Sequence, residues 1–119
     1  MNEQTRLYDE PVRPEDKRLR ELAETLIPEG PRTMPRSMLG ELYGGGETGD
    51  RRGRKAIEDM RQAGAVIINQ QDGRGYYRPS DDDVDAVLHQ LRSTHSRAMA
   101  LLKQEKAQRE WLRERGIEA

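Results

Sequence analysis

The stretch that decides the fold is Gly49–Ser80, GDRRGRKAIEDMRQAGAVIINQQDGRGYYRPS. It opens with a cluster of arginine and lysine and continues with apolar residues at helical spacing. Gly64 ends that pattern, and a β-branched run follows at Ala65–Asn69. A polar turn at Gln70–Gly75 leads to a second strand-like run, Gly75–Pro79. The stretch therefore predicts a basic helix followed by a β-hairpin.

The predicted basic helix, residues 50–63, has two different sides. Asp50 is its expected N-cap and Gly64 its C-cap. At about 100° per residue, small and apolar residues share the inward side: Gly53, Ala56, Ile57 and Met60. Long polar residues share the outward side: Arg51, Lys55, Glu58 and Gln62, with Arg54 beside them. The inward side predicts close packing against another helix.

The elements before this stretch are predicted from turn residues and apolar spacing. Residues 1–13 show no period and predict a disordered arm. A first helix is expected from Pro14 to Ile27. A second helix, of two turns, is expected over Ser37–Tyr43. The glycine-rich segment Gly44–Asp50 is expected to be a long, flexible connection to the basic helix.

A long helix is expected at the end of the chain, from Asp81 to about Glu114, with Ser80 as its cap. Apolar residues follow steps of three and four along it: Val84, Val87, Leu88, Leu91, His95, Ala98 and Leu102. Such a helix spans roughly 50 Å, more than a small core needs. We therefore expect it to form a homodimer, as a coiled coil.

Composition limits the size of the core. Only 33% of the 119 residues are hydrophobic and 4% are aromatic. A domain of about 60–70 residues is expected, here residues 14–80, of a mostly α, α+β class. The chain has no cysteine, which excludes disulfides and thiolate metal sites. No apolar run of about 18 residues and no signal-peptide pattern occurs, so a cytoplasmic chain is expected.

Positive charge is concentrated in the deciding stretch, although the whole chain has a net charge of −1. Residues 51–80 contain seven Lys/Arg and three Asp/Glu. Residues 1–50 contain seven Lys/Arg and eleven Asp/Glu. Residues 81–119 contain seven Lys/Arg and eight Asp/Glu. A phosphate backbone responds to charge within a Debye length, so the local excess matters more than the sum.

No segment carries a convincing catalytic or cofactor pattern. Gly44–Gly49 matches G-x-G-x-x-G in form, but it does not follow a buried strand of a βαβ unit. His89 and His95 are six residues apart and do not share a helical face as a metal pair would. We assign no catalytic residue, metal ligand or cofactor, and the prediction is a protein that is not an enzyme.

Three segments carry a resemblance to a known family: MLGELYG at 38–44, RRGRKAIEDMRQAG at 51–64 and GRGYYRP at 73–79. They resemble the winged helix–turn–helix superfamily of bacterial and phage regulators, most clearly the amino-terminal domain of biotin-operon-repressor-like proteins. Small winged-helix proteins of phages and other mobile elements share this layout. The resemblance covers about Asp16–Ser80. It implies a DNA-binding protein, a regulator of transcription or a replication-associated factor, in the cytoplasm of a bacterium or of a phage-infected cell.

The resemblance also implies roles for residues. The basic helix would face the major groove, the wing at 70–75 would reach a minor groove or phosphate, and Arg36 would contact the backbone. The implied DNA-binding residues are Arg36, Arg51, Arg52, Arg54, Lys55, Glu58, Gln62, Arg74 and Arg78. Tyr76 is expected in the core, and Tyr77 on the other face of its strand.

Two alternatives remain open. The basic helix could be a solvated face with i,i+4 ion pairs, Lys55–Asp59 and Arg54–Glu58. The domain could also be an interaction scaffold in a protein–protein adaptor, which the modest net charge and the long helix favour. Salt dependence of binding separates the adaptor from the DNA-binding protein.

Overall fold

The structure is a computed structural model that describes residues 13–70 and 74–119. The chain is mostly helical, with a small antiparallel hairpin and a long C-terminal helix, as the expected α+β class requires. It divides into a first unit that ends at Asp83 and a second unit, Val84–Ala119. The predicted disordered arm, apart from Arg13, lies outside the described residues, and so do residues 71–73 of the predicted wing.

Three helices build most of the first unit: α1, Pro14–Leu26; α2, Arg36–Leu42; and α3, Gly46–Gln62. The first helix was predicted to within one residue. Its proline occupies the first helical turn, where a missing N–H costs nothing, and Glu15 and Asp16 follow it there. The second helix also lies where the apolar spacing predicts it.

The start of α3 differs from the prediction. The helix begins at Gly46, so only residues 43–45 connect it to α2, and the expected long, flexible connection is wrong. Asp50 lies inside the helix and is not its N-cap. The physical reason is packing: a Cβ placed on Gly49 would lie 2.5 Å from the main-chain oxygen of Gly40. Close contact with α2 stabilises a first turn that glycine disfavours on its own.

The end of α3 follows the prediction closely. Gly64, at φ +107°, occupies the left-handed position just after the helix, and its N–H donates to the oxygen of Arg61. The N–H of Ala65 donates to the oxygen of Met60. This pair of bonds is the Schellman arrangement, which satisfies the last helical carbonyls.

The hairpin consists of β1, Ile68–Gln70, and β2, Gly75–Tyr77, with Ile68 opposite Tyr77. Both strands are shorter than the predicted runs. A third segment joins them, because Met34 and Tyr76 exchange main-chain hydrogen bonds of 2.7 and 2.9 Å. The connection between α1 and α2 is thereby held against β2.

The core of the first unit takes residues from all three helices and from the hairpin. Its buried members are Ala23, Ile27, Leu39, Ile57, Met60, Ile67 and Tyr76. The inward side of α3 is confirmed: Gly53, Ile57 and Met60 are buried, and Ala56 is partly buried against the core. Tyr76 is a core residue, as expected, and Tyr77 is buried as well.

The C-terminal helix, α4, spans Val84–Glu114 and follows a short 3-10 turn at Asp81–Asp83. The Asp83 carboxylate accepts hydrogen bonds from the N–H and the hydroxyl of Ser80, at 2.8 and 3.0 Å. Ser80 therefore caps a 3-10 turn at the position where the helix was predicted to begin, and α4 follows that turn. In the part of the chain that the structure describes, no helix has the length and apolarity to cross a membrane.

Candidate nucleic-acid interface

The outward side of α3 is a row of exposed polar side chains. The DNA-binding residues that the resemblance implies on this helix are all exposed: Arg51, Arg52, Arg54, Lys55, Glu58 and Gln62. Helical rotation puts Arg51 and Lys55 opposite the buried side and separates Arg52 from Arg54 by roughly 160°. Arg52 and Arg54 therefore lie on opposite flanks of this surface, which we call the α3 outer face.

Ion pairing takes up only part of the positive charge of the α3 outer face. Lys55 and Asp59 form the predicted pair, with Nζ 2.5 Å from Oδ1. An Arg54–Glu58 pair is not formed. Across residues 13–70 and 74–119, Arg51, Arg52 and Arg54 make no ion pair or hydrogen bond through their side chains. An exposed pair such as Lys55–Asp59 is weak, so Lys55 can exchange Asp59 for another anion.

A cleft of about 530 Å³ separates the start of α2 from the middle of α3, with Tyr76 of β2 also lining it. Arg36 and Arg54 both line this cleft, one from each helix. The guanidinium of Arg36 donates to Oδ1 of Asn69 at 3.0 Å, which ties the start of α2 to β1. Two acidic residues, Glu41 and Asp50, also line the cleft. The cleft therefore contains both positive and negative side chains.

Arg78 has a different place from the one predicted. Its Nε donates to the main-chain oxygen of Ile27 at 2.7 Å, and a second nitrogen donates to that of Glu24 at 3.4 Å. These are carbonyls at the end of α1 that have no helical partner, so the guanidinium acts as a C-terminal cap. We therefore remove Arg78 from the candidate interface.

Arg74 is exposed and directly precedes β2. It is the described residue closest to the tip of the predicted wing. The remainder of that tip, residues 71–73, lies outside the described residues, so the wing contact stays a prediction.

Arg61 is a structural residue that sequence reasoning missed. Its Nε and one terminal nitrogen donate to the main-chain oxygen of Ile67 at 3.2 and 2.9 Å. The guanidinium also lies 6.0 Å from the centre of the Tyr76 ring. Arg61 therefore fixes the hairpin against the end of α3. The sequence showed only a basic residue in the last turn of α3, and the carbonyl that it reaches lies beyond the end of the helix.

The described residues offer no catalytic geometry that we can assign. In residues 13–70 and 74–119, no group of three His, Asp or Glu residues could hold a metal ion. Burial raises the pKa of the Tyr77 hydroxyl above its ordinary value, and the Asp83 carboxylate adds to the increase. A tyrosine with a raised pKa stays protonated at neutral pH.

The predicted dimerisation residues lie on α4 and are open to solvent. Val87 is partly exposed, and the others are exposed: Val84, Leu88, Leu91, His95, Ala98 and Leu102. Of the leucines among them, Leu91 is the most exposed, at 59%. Within the second unit no described residue covers them.

Comparisons of the chain with protein-family models, curated proteins and solved structures found no match. The function is therefore inferred from the residues and their geometry.

Proposed function

We propose that the chain is a DNA-binding protein whose first unit is a winged helix–turn–helix, acting as a transcriptional regulator or a replication-associated factor of a bacterium or phage. In this proposal α3 enters the major groove, and the hairpin turn contacts the neighbouring backbone or minor groove. The observation that carries the proposal is the α3 outer face, whose arginines have no partner among the described residues.

The order and pairing of the elements support the winged-helix part of the proposal. Three helices precede a hairpin, and a short segment between α1 and α2 pairs with β2 through Met34. The connection of residues 43–45 has the length of a helix–turn–helix turn, which is three or four residues and often contains glycine. Gly40 and Gly49 have no side chains, so the backbones of the two helices come into close contact where they cross.

The positions of the cations support the DNA-binding part. Arg54 on α3 and Arg36 on α2 line one cleft, and the Arg36 guanidinium also donates to Oδ1 of Asn69. A guanidinium can bind phosphate or guanine in a bidentate manner. Each phosphate that is neutralised releases counterions, which drives binding at low salt.

The proposal includes a homodimer formed through α4. One module with about six cationic contacts binds DNA weakly at physiological salt. Two linked modules bind two half-sites with a higher effective concentration for the second contact. The exposed apolar residues of α4 supply a reason for two copies to associate.

A gel-shift comparison tests the α3 outer face. The double variant Arg51→Ala/Lys55→Ala should bind a duplex of mixed sequence about tenfold or more weakly than the wild type, since each lost contact costs about 1–3 kcal/mol. The control is Arg92→Ala/Arg97→Ala, which removes the same charge from exposed positions of α4. Equal binding by the α3 variant and the wild type would show that this face does not contact DNA.

A protein–protein adaptor is the second candidate, because α4 exposes large apolar side chains such as Leu91 and Leu101, at 59% and 63%. An adaptor needs no affinity for phosphate. It should therefore show no salt-dependent retention on DNA, whereas the proposed DNA-binding protein should.

A further inference from the structure

One carboxylate lies among the cations of the α3 outer face. Glu58 is exposed, and helical rotation puts it within about 60° of both Arg51 and Lys55. Within residues 13–70 and 74–119, the Glu58 side chain makes no ion pair or hydrogen bond. It also lies about three turns after the start of α3 at Gly46, beyond the reach of the positive end of the helix dipole. Neither pairing within the described residues nor the dipole therefore accounts for this carboxylate.

In the proposed function the Glu58 carboxylate lies inside the groove, because it shares the side of α3 that carries Arg51 and Lys55. The phosphates of DNA repel a carboxylate, so Glu58 lowers the affinity of the α3 outer face for a duplex of any sequence. A hydrogen bond that the carboxylate accepts from a base offsets this cost. Phosphate contacts position a protein and base contacts specify the sequence, so the charge of Glu58 suits selection rather than affinity.

The major groove offers a carboxylate one well-matched base. Cytosine presents its N4 amino group, which is a donor, and no acceptor beside it. Adenine presents the N6 donor next to the N7 acceptor, guanine presents two acceptors, and thymine presents an acceptor and a methyl group. An ionised carboxylate can only accept hydrogen bonds, so the acceptors of the other three bases oppose it. The chemistry of Glu58 therefore favours cytosine.

Arg54 supplies the complementary group. It precedes Glu58 by four residues, the spacing at which side chains are neighbours on the surface of a helix. The two side chains are not ion-paired to each other, and Arg54 has no other side-chain partner among the described residues. A guanidinium donates, and O6 and N7 of guanine accept. Arg54 and Glu58 together present donors next to an acceptor, which is the complement of a C·G base pair seen from the major groove.

We infer that the α3 outer face reads sequence, and that Glu58 accepts a hydrogen bond from N4 of a cytosine whose paired guanine is contacted by Arg54. This inference rests on the proposed function and deepens it, because it gives a cationic surface the means to select one base pair. Arg51 and Lys55 then contribute mainly affinity, and Glu58 is a specificity-determining residue.

Selection of duplexes from a random pool, followed by sequencing, tests the inference. The wild-type chain should enrich duplexes in which one position is cytosine paired with guanine. Glu58→Gln should change that position alone to adenine, because a glutamine amide both donates and accepts and so matches N7 and N6 of adenine. Retention of the cytosine by Glu58→Gln overturns the inference, and so does enrichment by the wild type without a preferred C·G pair.

Fluorescence anisotropy with two duplexes gives an independent result. One duplex is the enriched sequence, and in the other the selected C·G pair is replaced by T·A. The wild type should prefer the first by about tenfold or more. Glu58→Ala should reduce this preference several-fold and should bind the T·A duplex more tightly than the wild type does, since a repelled charge is removed. A carboxylate that is only solvated predicts the same preference for Glu58→Ala and the wild type, and that result overturns the inference.

The control is Glu110→Ala, which removes the same charge from an exposed position of α4 and should leave both the preference and the affinity unchanged. The outcomes also separate this inference from the proposed function. Absence of DNA binding by the wild type overturns both. Binding by the wild type, with an unchanged base preference in Glu58→Gln and Glu58→Ala, overturns only the inference and leaves the proposed function standing.

Discussion

Arginines of the first unit have different surroundings, and those surroundings decide what each can bind. Arg61 and Arg78 donate to main-chain carbonyls within the unit, so their guanidinium groups are occupied by the fold itself. Arg51 and Arg54 are exposed and make no such bond within the described residues. An exposed guanidinium without a partner loses little by moving to a phosphate, whereas a capping guanidinium would leave carbonyls unsatisfied.

The capping role of Arg78 is tested by measuring the stability of the fold, not the affinity for DNA. Arg78→Ala should lower the free energy of unfolding by about 1–2 kcal/mol, because two carbonyls of α1 lose their donor. Thermal unfolding would show this as a lower midpoint. Arg32→Ala, at an exposed position, is the matched control and should leave the midpoint nearly unchanged. DNA affinity measured well below the midpoint should not change in Arg78→Ala. A loss as large as that of Arg51→Ala/Lys55→Ala would return Arg78 to the interface.

Tyr77 gives the first unit a dependence on alkaline pH. Burial, and then the Asp83 carboxylate, raise the pKa of its hydroxyl in the folded chain. Its contribution to stability is fully present below the unfolded pKa, about 10, and is lost as pH rises through the folded pKa, since the unfolded chain ionises first. Urea unfolding of Tyr77→Phe should therefore show a smaller loss of stability above about pH 10 than the wild type. Tyr43→Phe should keep the wild-type loss, and an unchanged loss in Tyr77→Phe would contradict this role.

At the scale of elements, the crossing of α2 and α3 organises the first unit. Gly40 and Gly49 meet there with no side chain between them, and Gly53 lies against Leu39 one turn further along. This contact sets the distance between the two helices of the proposed DNA-binding motif. It also determines how far Arg36 lies from Arg54 across their shared cleft.

Adding one methyl group should disturb that crossing. In an isolated helix Gly→Ala stabilises by about 1 kcal/mol, but a Cβ on Gly49 would meet the backbone of Gly40 at 2.5 Å. We expect Gly49→Ala to destabilise the protein by about 1–3 kcal/mol, measured by urea unfolding. Thr48→Ala, at the exposed neighbouring position, should not destabilise it by that amount. A more stable Gly49→Ala protein would show that the helices are not in contact there.

The inward side of α3 was predictable because helical spacing is a local property, readable from Ile57 and Met60 alone. The start of the helix was not, because Gly44–Gly46 has the composition of a flexible linker. Its helical continuation depends on contact with α2, which is tertiary. The pairing of Met34 with Tyr76 joins residues far apart in sequence, and no local pattern indicates it. The capping contact of Arg78 was not predictable for the same reason: the carbonyls of Glu24 and Ile27 are near it only in space.

At the scale of the whole molecule, positive and negative charges are concentrated in different segments of the chain. The net charge is −1, yet the α3 outer face and the end of α4 are rich in cations, and the turn at Asp81–Asp83 is acidic. In the proposed function each surface has its own partner: phosphate for the α3 outer face, and a second copy for α4.

The measurement that tests the proposed function most directly is the salt dependence of binding. Fluorescence anisotropy of a labelled duplex, titrated with the full chain at several salt concentrations, gives the slope of log K against log salt. A DNA-binding protein with several phosphate contacts should give a slope steeper than about −3, and Arg51→Ala/Arg54→Ala should make it shallower by about 1–2. A slope near zero, or no binding at low salt, would contradict DNA binding and leave the adaptor as the better proposal.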